Sequence, residues 1–376
     1  MTEKIYEKRQ RTLKSVLADQ DLDGILITNL TNIRYISGFT GSAASCLITP
    51  GGQYFITDGR YIEQSKAQVK GFKRYIDMDS HLSIIKKNNL NPNGLKLAFE
   101  GENVTFSQYK NMTSIFPKTS WENTSMILED LAAVKDKMEI DAIRTAVEVT
   151  DQVYEETLSM VRPGYTEKQV ANAMVTKYRE YAEGEAYSPI VATGPNGALP
   201  HAIPTDREFK KGDFIVIDAA AKYAGYHADM TRTPVIGKTT EKHHEIYGIV
   251  KEAQQRGCDT AKAGVPCKVV DSATRDYIKE MGYGEYYTHG TGHGLGLEIH
   301  TSPRFSPQSE DVLSVNNVMT IEPGIYLAGW GGVRIEDDVI INEDGCEILN
   351  DTTTVSYTHL RAHETSLHLV CRLLLE

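Results

Sequence analysis

Hydrophobic and polar positions alternate along this chain with two different periods, and the change of period marks its elements. Residues 4–20 place Ile5, Leu13, Val16 and Leu17 near helical spacing, which predicts an amphipathic helix. Three short apolar runs follow, GILIT, ASCLITP and QYFITD, separated by Asn29, Asn32 and the pair Gly51–Gly52. Strand-length runs broken by turn residues predict an α/β unit, set at residues 1–125. No GxGxxG sequence opens a helix there, so a dinucleotide site is not expected.

Residues 126–135 read as the crossing into a second domain. A helical pattern then runs from 136 to 161 and stops at Arg162–Pro163–Gly164, where proline and glycine both oppose continuation. Thr166 with Gln169 predicts a capping box for the next helix. Two strand pairs follow, separated by helices near 240–263 and 268–281, and no internal repeat is visible in the sequence. From Val355 the alternation ceases. The stretch VSYTHLRAHETSLHLVCRLLLE reads as a translated sequencing adapter, so 126–354 is expected to be the second domain and 355–376 a non-native tail. His359, His363 and His368 in that tail are therefore not read as a metal tract.

Composition narrows the classes. At 376 residues the chain exceeds what one hydrophobic core usually covers, which agrees with two domains. A formal charge of −11 argues against nucleic acid, whose phosphates call for a basic surface. The opening residues are charged throughout and lack the apolar stretch of a signal peptide. No apolar run approaches the ~20 residues that span a bilayer. The five cysteines (Cys46, Cys258, Cys267, Cys346, Cys371) are odd in number and widely spaced, a pattern of reduced thiols and a cytoplasmic location.

Candidate chemistry lies in two carboxylate pairs set within apolar sequence. The runs DFIVIDAAA and YHADMTRTPV flank a turn at Gly225; a hairpin centred between Tyr223 and Ala224 would set Asp218 directly opposite Asp229. VMTIEPGIYL and GVRIEDDVIIN repeat the logic: a hairpin centred on Gly329 sets Glu322 opposite Glu336, with Arg334 on the same face as a substrate or carboxylate anchor. Between them, glycines 290, 292, 294 and 296 permit close approach around His293. Four carboxylates and a neutral imidazole carry a charge of about −4. One divalent ion would leave about −2 buried, at a cost of several kcal/mol, and two neutralise the set. Oxygen donors with one nitrogen and no thiolate suit manganese, cobalt or iron at least as well as zinc.

These residues resemble the "pita-bread" metallopeptidases, the family of methionine aminopeptidase, prolidase and aminopeptidase P. The matching segments are VIDAAAKYAGYHADMTRT, HGTGHGLGLEIH, MTIEPGIY and GVRIEDD, with NGALPHAIPTD upstream. NIRYISGFTGS and TDGRY look like the creatinase-type domain of prolidases and aminopeptidase P, which favours that proline-directed branch. The resemblance implies an α/β creatinase-like N-terminal domain followed by an α+β pita-bread catalytic domain with an antiparallel sheet. It implies Asp218, Asp229, His293, Glu322 and Glu336 as ligands of two divalent ions, manganese favoured, with Asp229 and Glu336 bridging. The implied activity is hydrolysis of the Xaa-Pro bond by a hydroxide held between the ions, as a dipeptidase or an aminopeptidase. His201 would stabilise the tetrahedral intermediate, His300 would bind substrate and Glu322 would shuttle a proton.

The implied partners are proline-containing peptides and a second copy in a homodimer, with neither nucleic acid nor membrane. Three alternatives stand beside this reading: a creatinase-like hydrolase without metal, a peptide-binding module of the same fold, and a metallo-aminopeptidase without proline preference. Thr301 departs from the family, which usually carries an acid after the second histidine. Trp121 and Trp330 read as packing, Tyr187 and Tyr326 as packing or pocket lining, and His227 as a possible substrate contact. His243 and His244 read as solvated on an exposed helix.

Overall fold

The computed structural model describes residues 2–90 and 92–352; the proposed non-native tail, with its three histidines and Cys371, lies outside them. The chain forms two compact units, the first Met1–Ala132 and the second from Ala133 onward.

In the first unit, α1 (Thr2–Asp19) is followed by β1 (Gly24–Ile27), whose four residues are all buried. Asn29 and Asn32, expected in a turn, instead begin and occupy a helix, α2 (Leu30–Ser37). The Asn29 side chain accepts the Thr31 and Asn32 amides as an N-cap, and Gly38 ends the helix at φ 83°. Two further apolar runs become β2 (Ser45–Thr49) and β3 (Gly52–Thr57). The unit continues through α3 (Ile62–Gln68), β4 (Lys73–Ile76), α4 (His81–Lys87), β5 (Lys96–Glu100), α5 (Phe106–Ile115) and β6 (Ser120–Thr124). The strands form one mixed sheet in the order β4-β3-β2-β1-β5-β6. Helix α6 (Ile127–Ala133) joins this unit, because Asn32 Nδ2 donates to Glu129 and the Tyr35 hydroxyl to the Leu131 carbonyl. The division thus falls several residues after the point suggested by the sequence pattern.

The second unit opens with α7 (Lys137–Thr157), capped reciprocally by Asp136 and Glu139, and α8 (Glu167–Tyr181), capped by Thr166 and Gln169 as the sequence predicts. The strands β7 (Gly184–Glu185), β8 (Ile190–Thr193), β9 (Ile215–Asp218), β10 (Ala221–Tyr223), β11 (Tyr226–His227) and β12 (Thr231–Arg232) follow. A second helix pair comes next, α9 (Glu241–Thr260) and α10 (Cys267–Glu280). The chain then runs through β13 (Gly292–Gly294), β14 (Thr301–Phe305), β15 (Val318–Ile321), β16 (Gly324–Leu327), β17 (Gly331–Arg334), β18 (Asp337–Ile341) and β19 (Cys346–Ile348). Every named strand pair in this unit is antiparallel.

The two helix pairs line the strands through separate cores. Val153, Tyr154, Met174 and Tyr178 pack on β8 and β9, and Ile246, Val250 and Ile278 pack on β16 and β17. They also reveal a repeat invisible in residue identities: positions 161–180 and 261–280 carry the same pattern of burial except at Pro163 and Ala263. His243, expected in solvent, is buried in α9. It bonds Thr240 and the Gly212 carbonyl and stacks its edge on Phe214. Trp330 packs on the same two rings.

Candidate active site

The hairpin carrying the two aspartates pairs Asp218 with Thr231 and Tyr223 with Tyr226, a register centred between Ala224 and Gly225. Asp218 is therefore opposite Thr231, not Asp229 as the alternation suggested. Ala224 and Gly225 both have positive φ, 48° and 81°, as a two-residue turn of the primed kind requires. Moving the centre by one residue slips the pairing by two, so both aspartates keep to the same face as diagonal neighbours. The Tyr187 hydroxyl donates to Oδ1 of each. The second hairpin is centred on Gly329, with Gly324 opposite Arg334; continued outward, this predicted register carries Glu322 and Glu336 past the paired ends.

His293 stands at the middle of β13, and the backbone there leaves no room to spare. A Cβ built on Gly292 would lie 2.0 Å from the Thr320 carbonyl oxygen. The His293 ring is oriented by its Nδ1 against the Gly294 carbonyl, 3.1 Å away. Its Nε2 lies 3.4 Å from Glu322 Oε1 and 3.6 Å from Asp229 Oδ2. One potential ligand atom each from Asp229, His293 and Glu336 falls within 4.8 Å of the others.

All five side chains line one cavity of about 630 Å³, together with His201 and His300. Both of these histidines are exposed, and the His300 ring meets His293 edge to face, centroids 4.4 Å apart. Arg334, 3% exposed, has turned its guanidinium to the protein: it binds Asp218, the Tyr326 hydroxyl at 2.8 Å, Thr231 Oγ1 at 2.9 Å and the Pro200 carbonyl at 3.3 Å. It lines the cavity as well, so the anchoring of Asp218 stands beside the substrate contact expected of it. His227 does not reach the cavity; its Nδ1 lies 3.0 Å from the Gly296 carbonyl. His289 does reach it, with Nε2 2.8 Å from the Tyr326 hydroxyl. Only its place in the glycine-rich segment marked it beforehand.

Electrostatics favour a cation here. Burial pushes the carboxyl groups of Asp229 and Glu336 well above their usual range, and the charge on the neighbouring aspartates adds to it. Burial also lifts Glu322 to about 7, although Arg334 opposes this. The same desolvation, with His300 nearby, lowers His293 to about 3 and keeps its imidazole neutral, the form that ligates. Acids whose ionisation is opposed by burial and by one another, crowded around a neutral imidazole, fit divalent metal, whose charge would offset both their desolvation and their repulsion.

Glu336 is braced from behind. Its Oε2 accepts the Thr231 hydroxyl at 2.6 Å, and its carbonyl accepts Arg232 Nη1 at 2.6 Å. Arg232, 2% exposed, also pairs with Asp337 at 2.7 Å, whose other oxygen accepts Gln254 Nε2 at 2.8 Å.

Residues 141–343 match metallopeptidase family M24, and residues 9–134 match the creatinase/prolidase N-terminal domain. A Xaa-Pro dipeptidase of Pyrococcus furiosus is 36% identical over 352 residues, covering 92% of this chain and 98% of its own. The solved structure of a Xaa-Pro dipeptidase from Bacillus anthracis superposes with a TM-score of 0.89 at 38% identity, over 93% of this chain and 99% of that one. An X-Pro aminopeptidase from Thermotoga maritima gives 0.84 at 38% identity, with the same coverage.

Proposed function

The chain belongs to metallopeptidase family M24, with a creatinase/prolidase N-terminal domain, and from that premise we propose that it hydrolyses the peptide bond between an N-terminal residue and a following proline. The observation that carries this reading is the convergence of Asp218, Asp229, His293, Glu322 and Glu336 on one cavity. These five would hold two divalent ions, manganese before cobalt, zinc or iron. Bound metal supplies Lewis acidity and a nucleophilic water at neutral pH.

The chain's own residues bind, orient and move protons. His201 donates to the oxygen on which charge develops, and His300 positions the peptide. Glu322 carries a proton to the departing proline nitrogen. Tyr187 and Arg334 fix the two aspartates from the protein side. The reading extends to a cytoplasmic homodimer, supported by the family resemblance and the thiol pattern. Among the described residues, no helix is long and apolar enough to cross a membrane.

An aminopeptidase acting on longer Xaa-Pro peptides is a second reading, favoured by the Thermotoga maritima likeness. Protein stripped of metal and resupplied with Mn²⁺ is to be given a Xaa-Pro dipeptide and a Xaa-Pro-Xaa peptide side by side. Metal-dependent cleavage of the dipeptide alone identifies a dipeptidase, and cleavage of the longer peptide an aminopeptidase. Metal binding without cleavage of either overturns the proposal.

A further inference from the structure

Two cysteines that lie 88 positions apart meet in the second unit, away from the cavity. Cys258 sits in the last turn of α9, 5% exposed. Cys346, half-buried, opens the edge strand β19 directly after the turn closed by Asn342 and Gly345. The Cys346 thiol approaches the Cys258 carbonyl oxygen to 3.4 Å, and Cys346 packs against the buried cluster that holds Cys258, Val339 and Ile341. Closing this contact to a covalent bond means bringing the sulfurs to about 2 Å. An edge strand entered through a glycine turn is well placed to make that adjustment.

We propose that Cys258 and Cys346 form a redox-active dithiol that closes reversibly to an intramolecular disulfide on reaction with a low-molecular-weight disulfide. The asymmetry of the pair assigns the roles. Cys346 is the more exposed sulfur, and the Cys258 hydrogen bond draws its thiol below the ordinary value against the effect of burial. The same contact, reinforced by burial, pushes Cys258 up.

The Cys346 thiolate attacks one sulfur of glutathione disulfide; the reagent's S–S bond breaks, and one glutathione leaves as a thiolate that takes up the Cys346 proton. Cys258 then attacks the Cys346 sulfur of the mixed disulfide. The second glutathione leaves with the Cys258 proton. Two protein thiols have together lost two electrons and two protons, and the reagent has become two thiols. The position links the pair to the strand that follows Glu336. The Cys258 sulfur accepts Gln254 Nε2 at 3.3 Å, and that same nitrogen donates to Asp337.

The test uses the full-length protein in mixtures of reduced and oxidised glutathione. Free thiols are blocked with iodoacetamide, and unreduced peptides are read by mass spectrometry. The expected result is loss of both free thiols together and appearance of one linked peptide containing Cys258 and Cys346, two hydrogens lighter than its parts. Dithiothreitol should abolish it, and Cys346→Ser should leave Cys258 alkylatable. Independent alkylation of both residues in the most oxidising mixture overturns the proposal. So does linkage of either to Cys46, Cys267, Cys371 or a second chain. The wild-type measurement stands whether or not the variant folds.

Discussion

Glu100 in the first unit and Asp229 in the second are both buried acids, yet their oxygens keep different company. Glu100, 9% exposed, accepts the Thr28 amide at 2.6 Å, the Asn29 amide at 2.8 Å, the Thr28 hydroxyl at 3.2 Å and Asn32 Nδ2 at 2.8 Å. Asp229, 6% exposed, accepts the Tyr187 hydroxyl, which it shares with Asp218. Its other oxygen faces a neutral imidazole. Glu167 in the second unit behaves like Glu100: fully buried, it is wrapped by the amides of Thr193 and Thr205 and by the Asn196 side chain. A structural acid is surrounded by donors from its own chain. The acids around the cavity are set against each other, and that arrangement becomes favourable once positive charge is brought in.

The comparison breaks most sharply at Asp229 and Glu336. Asp229→Ala or Glu336→Ala is expected to lower kcat/KM by at least roughly 10³-fold, about 4 kcal/mol of transition-state stabilisation, while unfolding stability changes far less. Activity on a Xaa-Pro substrate, with bound metal by elemental analysis and denaturant melts beside it, checks both halves. Glu100→Ala should do the reverse. It leaves the Thr28 and Asn29 amides without their acceptor, at a cost of about 2–3 kcal/mol in chemical denaturation, with activity per folded molecule unchanged.

The smallest effect is a pH dependence. Burial raises the Glu100 carboxyl above its ordinary value despite four donors, so the folded state holds its proton more tightly than the unfolded. That contribution is complete below the unfolded value and fades as pH rises through the folded one. Stability of the wild type relative to Glu100→Gln should therefore decline as pH climbs from near 4. A flat difference across that window would remove burial as the dominant influence on Glu100.

Much of the site was legible because its chemistry needs charged residues where apolar sequence would otherwise continue. Asp218 at the end of IVID and Glu322 after VMTI stand out for that reason. The register of the second hairpin was legible as well, since Gly329 alone occupies its centre at φ 76°. The first hairpin misled by one residue because Ala224 adopts a left-handed conformation for which alanine gives no signal. Asn29 and Asn32 misled for a related reason: an asparagine side chain that accepts backbone amides can open a turn or a helix. His243 was hidden by its neighbours, since Lys242 and His244 on either side are exposed and charge suggested an outer face. The repeat of α7–α8 in α9–α10 lies in burial, which many residue combinations satisfy equally well.

Gly292 carries a consequence at the level of the gene. Its missing side chain is what lets β13 lie against Thr320, where a Cβ would stand 2.0 Å from a carbonyl oxygen. Every missense change that one nucleotide can make to a glycine codon adds that atom. Natural variation at this codon is therefore confined to synonymous changes, unless the neighbouring strand moves with it.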